Sequence, residues 1–181
     1  SLSSYIYTNF DVFIIEYLIG TEKVGLYVIP FRLGLMMMLI HSVMAKATTP
    51  TISELLILNK KIELENILQK MSKYLTVLSV IIFVFFIFFG KLVLSIWGAE
   101  FIDSFYVLLI IIFTQRVNVV TGYTGLVMMM SGNENIIGKL IFVLMPVSIV
   151  LNFLLIPFFG IYGAAISYFI CVSVQNLFQY Y

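Results

Sequence analysis

The chain has 181 residues, 62% of them hydrophobic and 10% charged, with a mean hydropathy of +1.11 and a formal net charge of +1. A soluble domain is nearer half apolar and a quarter charged, so this composition is that of an integral membrane protein, and a near-neutral chain without a basic run speaks against a nucleic-acid partner. The single cysteine, Cys171, excludes an internal disulfide and leaves the redox compartment unread.

A membrane span takes about 20 mostly apolar residues, and the sequence predicts six. The first covers residues 1–20 and holds Asp11 about 14 Å from the break at Gly20, taking about 1.5 Å per helical residue. Gly20 to Lys23 form a tight polar break. The second span, 24–49, ends at Pro50 and carries Arg32 about 12 Å from its start, two residues after Pro30. His41 falls on the opposite helix face, and Lys46 returns to the Arg32 face near the far end. Proline removes one backbone donor and kinks a helix, so Pro30 opens the backbone beside Arg32.

Residues 51–73 predict an amphipathic connecting helix. Thr51 and Glu54 have capping-box spacing just after Pro50, and Leu55, Ile62, Leu64, Ile67, Leu68 and Met71 form its apolar side. Such a helix should lie in the membrane interface. The third span follows at 74–97 and the fourth at 104–130. Arg116 lies about 18 Å inside the fourth, close to the midplane. Around it Thr114, Asn118, Thr121 and Gly125 form one polar stripe, with Arg116 and Tyr123 on the other side. The fifth span, 136–156, contains Pro146. The sixth, 161–181, carries Gly163, Ser167 and Cys171 at intervals of four, a small-residue stripe for close helix packing. Alternating strand patterns are absent, so the fold class is an all-α polytopic membrane helix bundle. The chain starts without Met or a basic leader and ends on an apolar run, which reads as a piece of a longer protein, cut at both ends.

Lysines set the orientation. Lys46, Lys60, Lys61, Lys70, Lys73 and Lys139 fall on one side of a six-span arrangement, and Lys23 and Lys91 on the other, so the 51–73 side is predicted to be cytoplasmic. A charge at the bilayer centre costs at least ~3 kcal/mol, so deep charges face a cavity or a partner. Two deep arginines against one deep aspartate leave positive charge for an anion to balance, and planar guanidinium suits phosphate oxygens. Arg32, Arg116, Asp11 and Asn118 are therefore the candidate substrate-binding residues, with Asp11 holding an arginine when substrate is absent. The alternative is that these charges only lock helices together. No metal-ligand cluster, nucleotide loop or nucleophile with an adjacent base is present, so neither a cofactor nor an enzyme is predicted.

The stretch from Tyr5 to Gly34, with Asn9, Asp11, the turn "EKVGLY" and Arg32, resembles the seventh-to-eighth span region of polysaccharide or O-antigen flippases. "TPTISELLILNKKIELENIL" resembles their cytoplasmic connector, "LVLSIWGAEFIDSFYVLLIIIF" their ninth-to-tenth span turn, and "IPFFGIYGAAISY" a later G-x-x-G-A turn. The resemblance covers nearly the whole chain. It implies one six-helix lobe, the C-terminal one, of a transporter in the superfamily of MATE-type multidrug exporters and lipid II flippases. It also implies a missing N-terminal lobe and a bacterial cytoplasmic membrane. The implied substrate is an undecaprenyl-pyrophosphate-linked oligosaccharide, as in O-antigen and lipopolysaccharide biosynthesis, with a possible proton or sodium coupling ion. Arg32 lies on the span where related flippases place a pyrophosphate-engaging arginine. A multidrug exporter of the same superfamily, or a membrane-embedded glycosyltransferase or polymerase, are the alternatives.

Overall fold

A bilayer core offers no water to backbone N–H and C=O groups, so a spanning segment must satisfy them internally, and a helix does so. The computed structural model describes the backbone of residues 2–130 and 134–180 and the side chains of 10–119, 138–140 and 142–178. Among these residues the regular structure is entirely helical: α1 Leu2–Ile19, α2 Thr21–Ile57, α3 Lys61–Ser95, a short 3₁₀ turn Ala99–Ser104, α4 Phe105–Met130, α5 Glu134–Phe159 and α6 Ile161–Tyr180. Five described stretches, Thr21–Ile57, Lys61–Ser95, Ala99–Val119, Gly138–Phe159 and Ile161–Phe178, are long and apolar enough to cross a membrane. Helix α1 matches the remaining predicted span. Phe88, Phe142 and Phe158 are among the many large apolar side chains left exposed around the bundle. Continuous apolar surface of this kind is what lipid covers.

Glycine makes the tightest connections. Only Gly20 separates α1 from α2, with φ of 92°, a value a Cβ would disfavour. Gly160, with φ of 58°, closes α5, its N–H donating to the Ile156 carbonyl at 2.8 Å before α6 begins at Ile161.

The largest departure from the sequence reading lies at 51–73. A separate connecting helix does not form. Helix α2 runs through Pro50 to Ile57, and the chain reverses at Leu58–Lys60 into α3, with Asn59 in the left-handed region at φ 53°. The hydroxyls before Pro50 are engaged within α2. Thr48 Oγ1 donates to the Met44 carbonyl at 2.8 Å, and Thr49 Oγ1 to Ala45 at 2.7 Å, so both hydroxyls fold back onto the preceding turn rather than capping a new helix. Thr51 is thus an interior residue, not a cap. The predicted apolar side becomes the seam of a helical hairpin: Ile52 and Leu55 of α2 pack with Leu64, Ile67 and Leu68 of α3. Ile62 is the exception, remaining 78% exposed. One ion pair, Lys60 Nζ to Glu63 Oε1 at 2.9 Å, sits beside the turn. If the lysine-rich side is cytoplasmic, single cysteines at positions 60 and 61 will react with membrane-impermeant maleimide only after the cells are opened. Reaction in intact cells would invert the topology.

Helix α4 packs against α2, α3 and α6, while α1 bridges α2 and α5. A first core joins Ile14 and Ile15 of α1, Tyr27 of α2, Val107 and Ile111 of α4, Ile156 of α5, and Ile161, Ala164 and Ala165 of α6. Met37, Leu94, Phe105, Leu108 and Ile112 make a second core among α2, α3 and α4. Gly34 permits the α2–α4 approach, since a Cβ there would lie 3.2 Å from Ile111 Cβ. The predicted stripe on α6 packs against α5. A Cβ on Gly163 would meet the Leu155 carbonyl and lie 2.8 Å from the Ile156 nitrogen, and Ser167 Oγ donates to the Ser148 carbonyl at 3.4 Å.

Candidate functional site

Along every helix that reaches it, the first core lies toward the Gly20 and Gly160 turns. One or two turns nearer the α2–α3 hairpin, the helices leave a cavity of about 320 Å³. Phe10 and Asp11 of α1, Phe31, Leu35 and Met38 of α2, and Asn118 of α4 line one part of it. Ser148 of α5 and Tyr168, Cys171 and Gln175 of α6 line the other. The spacings of Phe31–Leu35–Met38 and Tyr168–Cys171–Gln175 are those of single helix faces.

Asp11 is held by two donors from distant helices. Asn152 Nδ2 donates to Oδ1 at 2.7 Å, and the Tyr27 hydroxyl to Oδ2 at 3.3 Å. Both donors are 1% exposed, and the Oδ1 of Asn152 has no hydrogen-bond partner among the described residues. Beside this cluster, Gln115 Nε2 donates to the Tyr168 hydroxyl at 2.8 Å, and Asn118 Nδ2 reaches Gln115 Oε1 at 3.4 Å. The Tyr168 ring meets Phe31 edge-on with centroids 5.1 Å apart. Buried polar groups with fixed partners are expensive to rearrange, so this network sets the cavity's shape.

Two of the four candidate residues, Asp11 and Asn118, come together in this cavity, and the two arginines do not line it. Arg116 is half-buried and, two residues before Asn118, points some 200° around α4 from it. Arg32 is exposed. It lies on a stripe of α2 with Met36, Leu39 and Val43, all exposed, and adjoins the cavity-lining Leu35 one turn on. Among the described residues Asp11 forms no ion pair with either arginine; its partners are neutral. The hollow within this chain is therefore lined by a carboxyl group, amides and hydroxyls. Thr114 of the predicted stripe spends its hydroxyl on the Ile110 carbonyl at 2.8 Å. The side chains of Asn9, Thr121, Tyr123 and Gly125 lie outside the described residues.

Sequence reasoning missed Tyr27, Gln115, Asn152 and Tyr168. The signal was available for the two amides, each an uncharged polar residue far inside an apolar run, where an unpaired amide would cost several kcal/mol. Charge drew the attention that these residues merited equally.

Among curated proteins, the chain is 25% identical over 174 residues to a protein named "Probable flippase AglR" from Haloferax volcanii, an alignment covering 94% of the chain and 37% of that protein. It is 26% identical over 186 residues to "Probable low-salt glycan biosynthesis flippase Agl15" of the same organism, covering 98% of the chain and 38% of the relative. The chain thus spans less than two-fifths of the length of these relatives. Comparison with solved structures gives no match. A family model described as "Polysaccharide biosynthesis protein" matches residues 1–105, more than half of the chain and all of α1 to α3. This multi-pass membrane chain belongs to that polysaccharide biosynthesis family.

Proposed function

We propose that the chain is one six-helix lobe, the C-terminal one, of a MATE-like flippase that carries a lipid-linked oligosaccharide across the membrane during surface polysaccharide biosynthesis. The observation that carries the reading is the Asp11–Asn118–Gln175 cavity within a bundle of membrane length. Carboxylate, amide and hydroxyl groups beside the aromatic rings of Phe10 and Phe31 suit sugar hydroxyls, which both donate and accept. The names of the two relatives point the same way. Arg32 meets the phosphate end of the substrate first, on the open face of α2, before the lipid settles against the lobe. An exposed guanidinium in a spanning helix is costly against lipid, so its stripe faces a wet space, which the N-terminal lobe of the full protein would enclose. Undecaprenyl pyrophosphate as carrier, an O-antigen-type glycan and a bacterial cytoplasmic membrane complete the proposal.

The Asp11 carboxyl, held in the interior by Asn152 Nδ2 and the Tyr27 hydroxyl, is the group on which proton or sodium coupling would act. In vesicles, transport should then accelerate under one of the two imposed gradients; indifference to both removes the coupling.

Arg32→Ala in the full-length protein, expressed in cells lacking their own flippase, should abolish surface polysaccharide at unchanged membrane abundance. Arg32→Lys keeps the charge but loses the bidentate fork, so it should restore export only in part. Wild-type polysaccharide with Arg32→Ala ends the phosphate role. Multidrug export is the second reading, favoured by the presence of Asp11 and the absence of both arginines in the cavity wall. Under that reading, Asp11→Asn sensitises cells to cationic dyes and leaves polysaccharide intact.

A further inference from the structure

Helices α5 and α6 are joined by the Gly160 turn and pack along one stripe of α6. Gly163 brings the backbones into contact, and Ser167 still reaches the Ser148 carbonyl. Cys171, the next residue of the stripe, borders a hollow on the hairpin side. It is a groove of about 460 Å³ between the two helices, lined by Leu140, Val143 and Val147 of α5 and Val174 and Phe178 of α6, with Lys139 at its end. Apart from Lys139 the lining is apolar. Val143 is 59% and Phe178 62% exposed, so the groove lies on the outside of the bundle.

Leu144 and Cys171 line this groove and also the Asp11 cavity. Two hollows of opposite chemistry, one polar and one apolar, therefore lie on either side of a partition made of these side chains. A membrane phospholipid would need only the groove. An amphiphile with a large sugar head and a long hydrocarbon tail needs both, with a crossing between them and a cation near the crossing for its phosphate.

We propose that the α5–α6 groove is the site for the isoprenoid chain of the lipid-linked glycan, with Lys139 pairing with the linking phosphate and Leu144 and Cys171 forming the crossing to the sugar cavity. The proposal rests on the flippase reading. Hydrocarbon against Val and Leu side chains gains van der Waals contact, and Lys139 provides charge complementarity at the mouth. The route leaves the sugars inside the lobe and the tail among lipids, so neither end is transferred to the wrong solvent.

The test uses the full-length protein in phosphatidylglycerol vesicles carrying NBD-labelled farnesyl-diphosphate-linked chitobiose. A photoreactive benzoylphenylalanine is placed at Val143 or Val147, and at the exposed Phe88 of α3 as a lipid-facing control. Irradiation should attach the glycolipid at 143 and 147 in strong preference to 88, and Lys139→Gln should weaken that labelling about tenfold, the equivalent of one charge-assisted hydrogen bond. Leu144→Trp, which thickens the partition, should slow dithionite-measured movement of the probe while the protein stays abundant. Equal labelling at all three positions, attachment of phosphatidylglycerol alone at 143 and 147, or wild-type movement in Leu144→Trp would overturn the tail site. Wild-type protein that leaves the probe unmoved would instead overturn the flippase reading beneath it.

Discussion

Replacing Asp11 by asparagine in the full-length protein is expected to abolish glycan export while leaving the protein abundant in the membrane. An asparagine retains an acceptor oxygen for Asn152 or Tyr27, so most of the local bonding survives and the titratable acid does not. Asp11→Ala should be worse in a different way. It strands two groups that are each 1% exposed, Asn152 and Tyr27, at about 1–3 kcal/mol per unsatisfied group. Its abundance should therefore fall along with export. Adding Asn152→Leu to Asp11→Ala removes the stranded amide and should recover part of the abundance without recovering export. Quantitative membrane blots and surface-glycan staining separate the two effects. Full export by Asp11→Asn with no sensitisation to cationic dyes would reduce the residue to a structural clamp.

Gly163→Val should sharply lower the amount of folded protein. A Cβ at this position meets the Leu155 carbonyl and lies 2.8 Å from the Ile156 nitrogen, so backbone rather than a flexible side chain would have to move. Overpacking a tight core costs about 1–3 kcal/mol, occasionally more, and the shift here would propagate into Ala164 and Ala165 at the junction of five helices. Gly138→Val is the matched control, since nothing lies within 4 Å of a Cβ there. Detergent-solubilised protein should show a depressed thermal midpoint for Gly163→Val and an unchanged one for Gly138→Val. Equal midpoints would mean that the α5–α6 contact can open without cost.

The number and order of helices were legible because a bilayer demands runs of about 20 apolar residues, and few sequences produce them otherwise. The hairpin was misread because Pro50 followed by Thr51 and Glu54 carries the local marks of a helix start. Those marks are overridden where Ile52 and Leu55, beyond the proline, pack against Leu64, Ile67 and Leu68 as a continuation of α2. The turn sits nine residues after Pro50 at Asn59, a residue type that tolerates positive φ. Asp11 and Asn118 were legible as deep polar groups, but Asn152, 141 positions from Asp11, could be paired with it only through tertiary packing. The arginines show the other limit. Depth along a helix can be counted in residues, but the direction a side chain faces cannot be inferred when the helix is apolar all round and has no stripe to orient it.

The way α2 and α3 run together has a mechanical outcome. Helix α2 contains two prolines, each a potential joint, whereas the 35 residues of α3 contain none, and the two are zipped along Ile40, Met44, Ile52 and Leu55 against Leu64, Ile67, Leu68 and Met71. The proline-free strut splints the jointed one. At about 52 Å the strut exceeds a ~30 Å hydrocarbon layer by roughly 20 Å. A sideways push on its protruding end should thus be carried deep into the bilayer, with Gly90, near the far end, as the softest point along it.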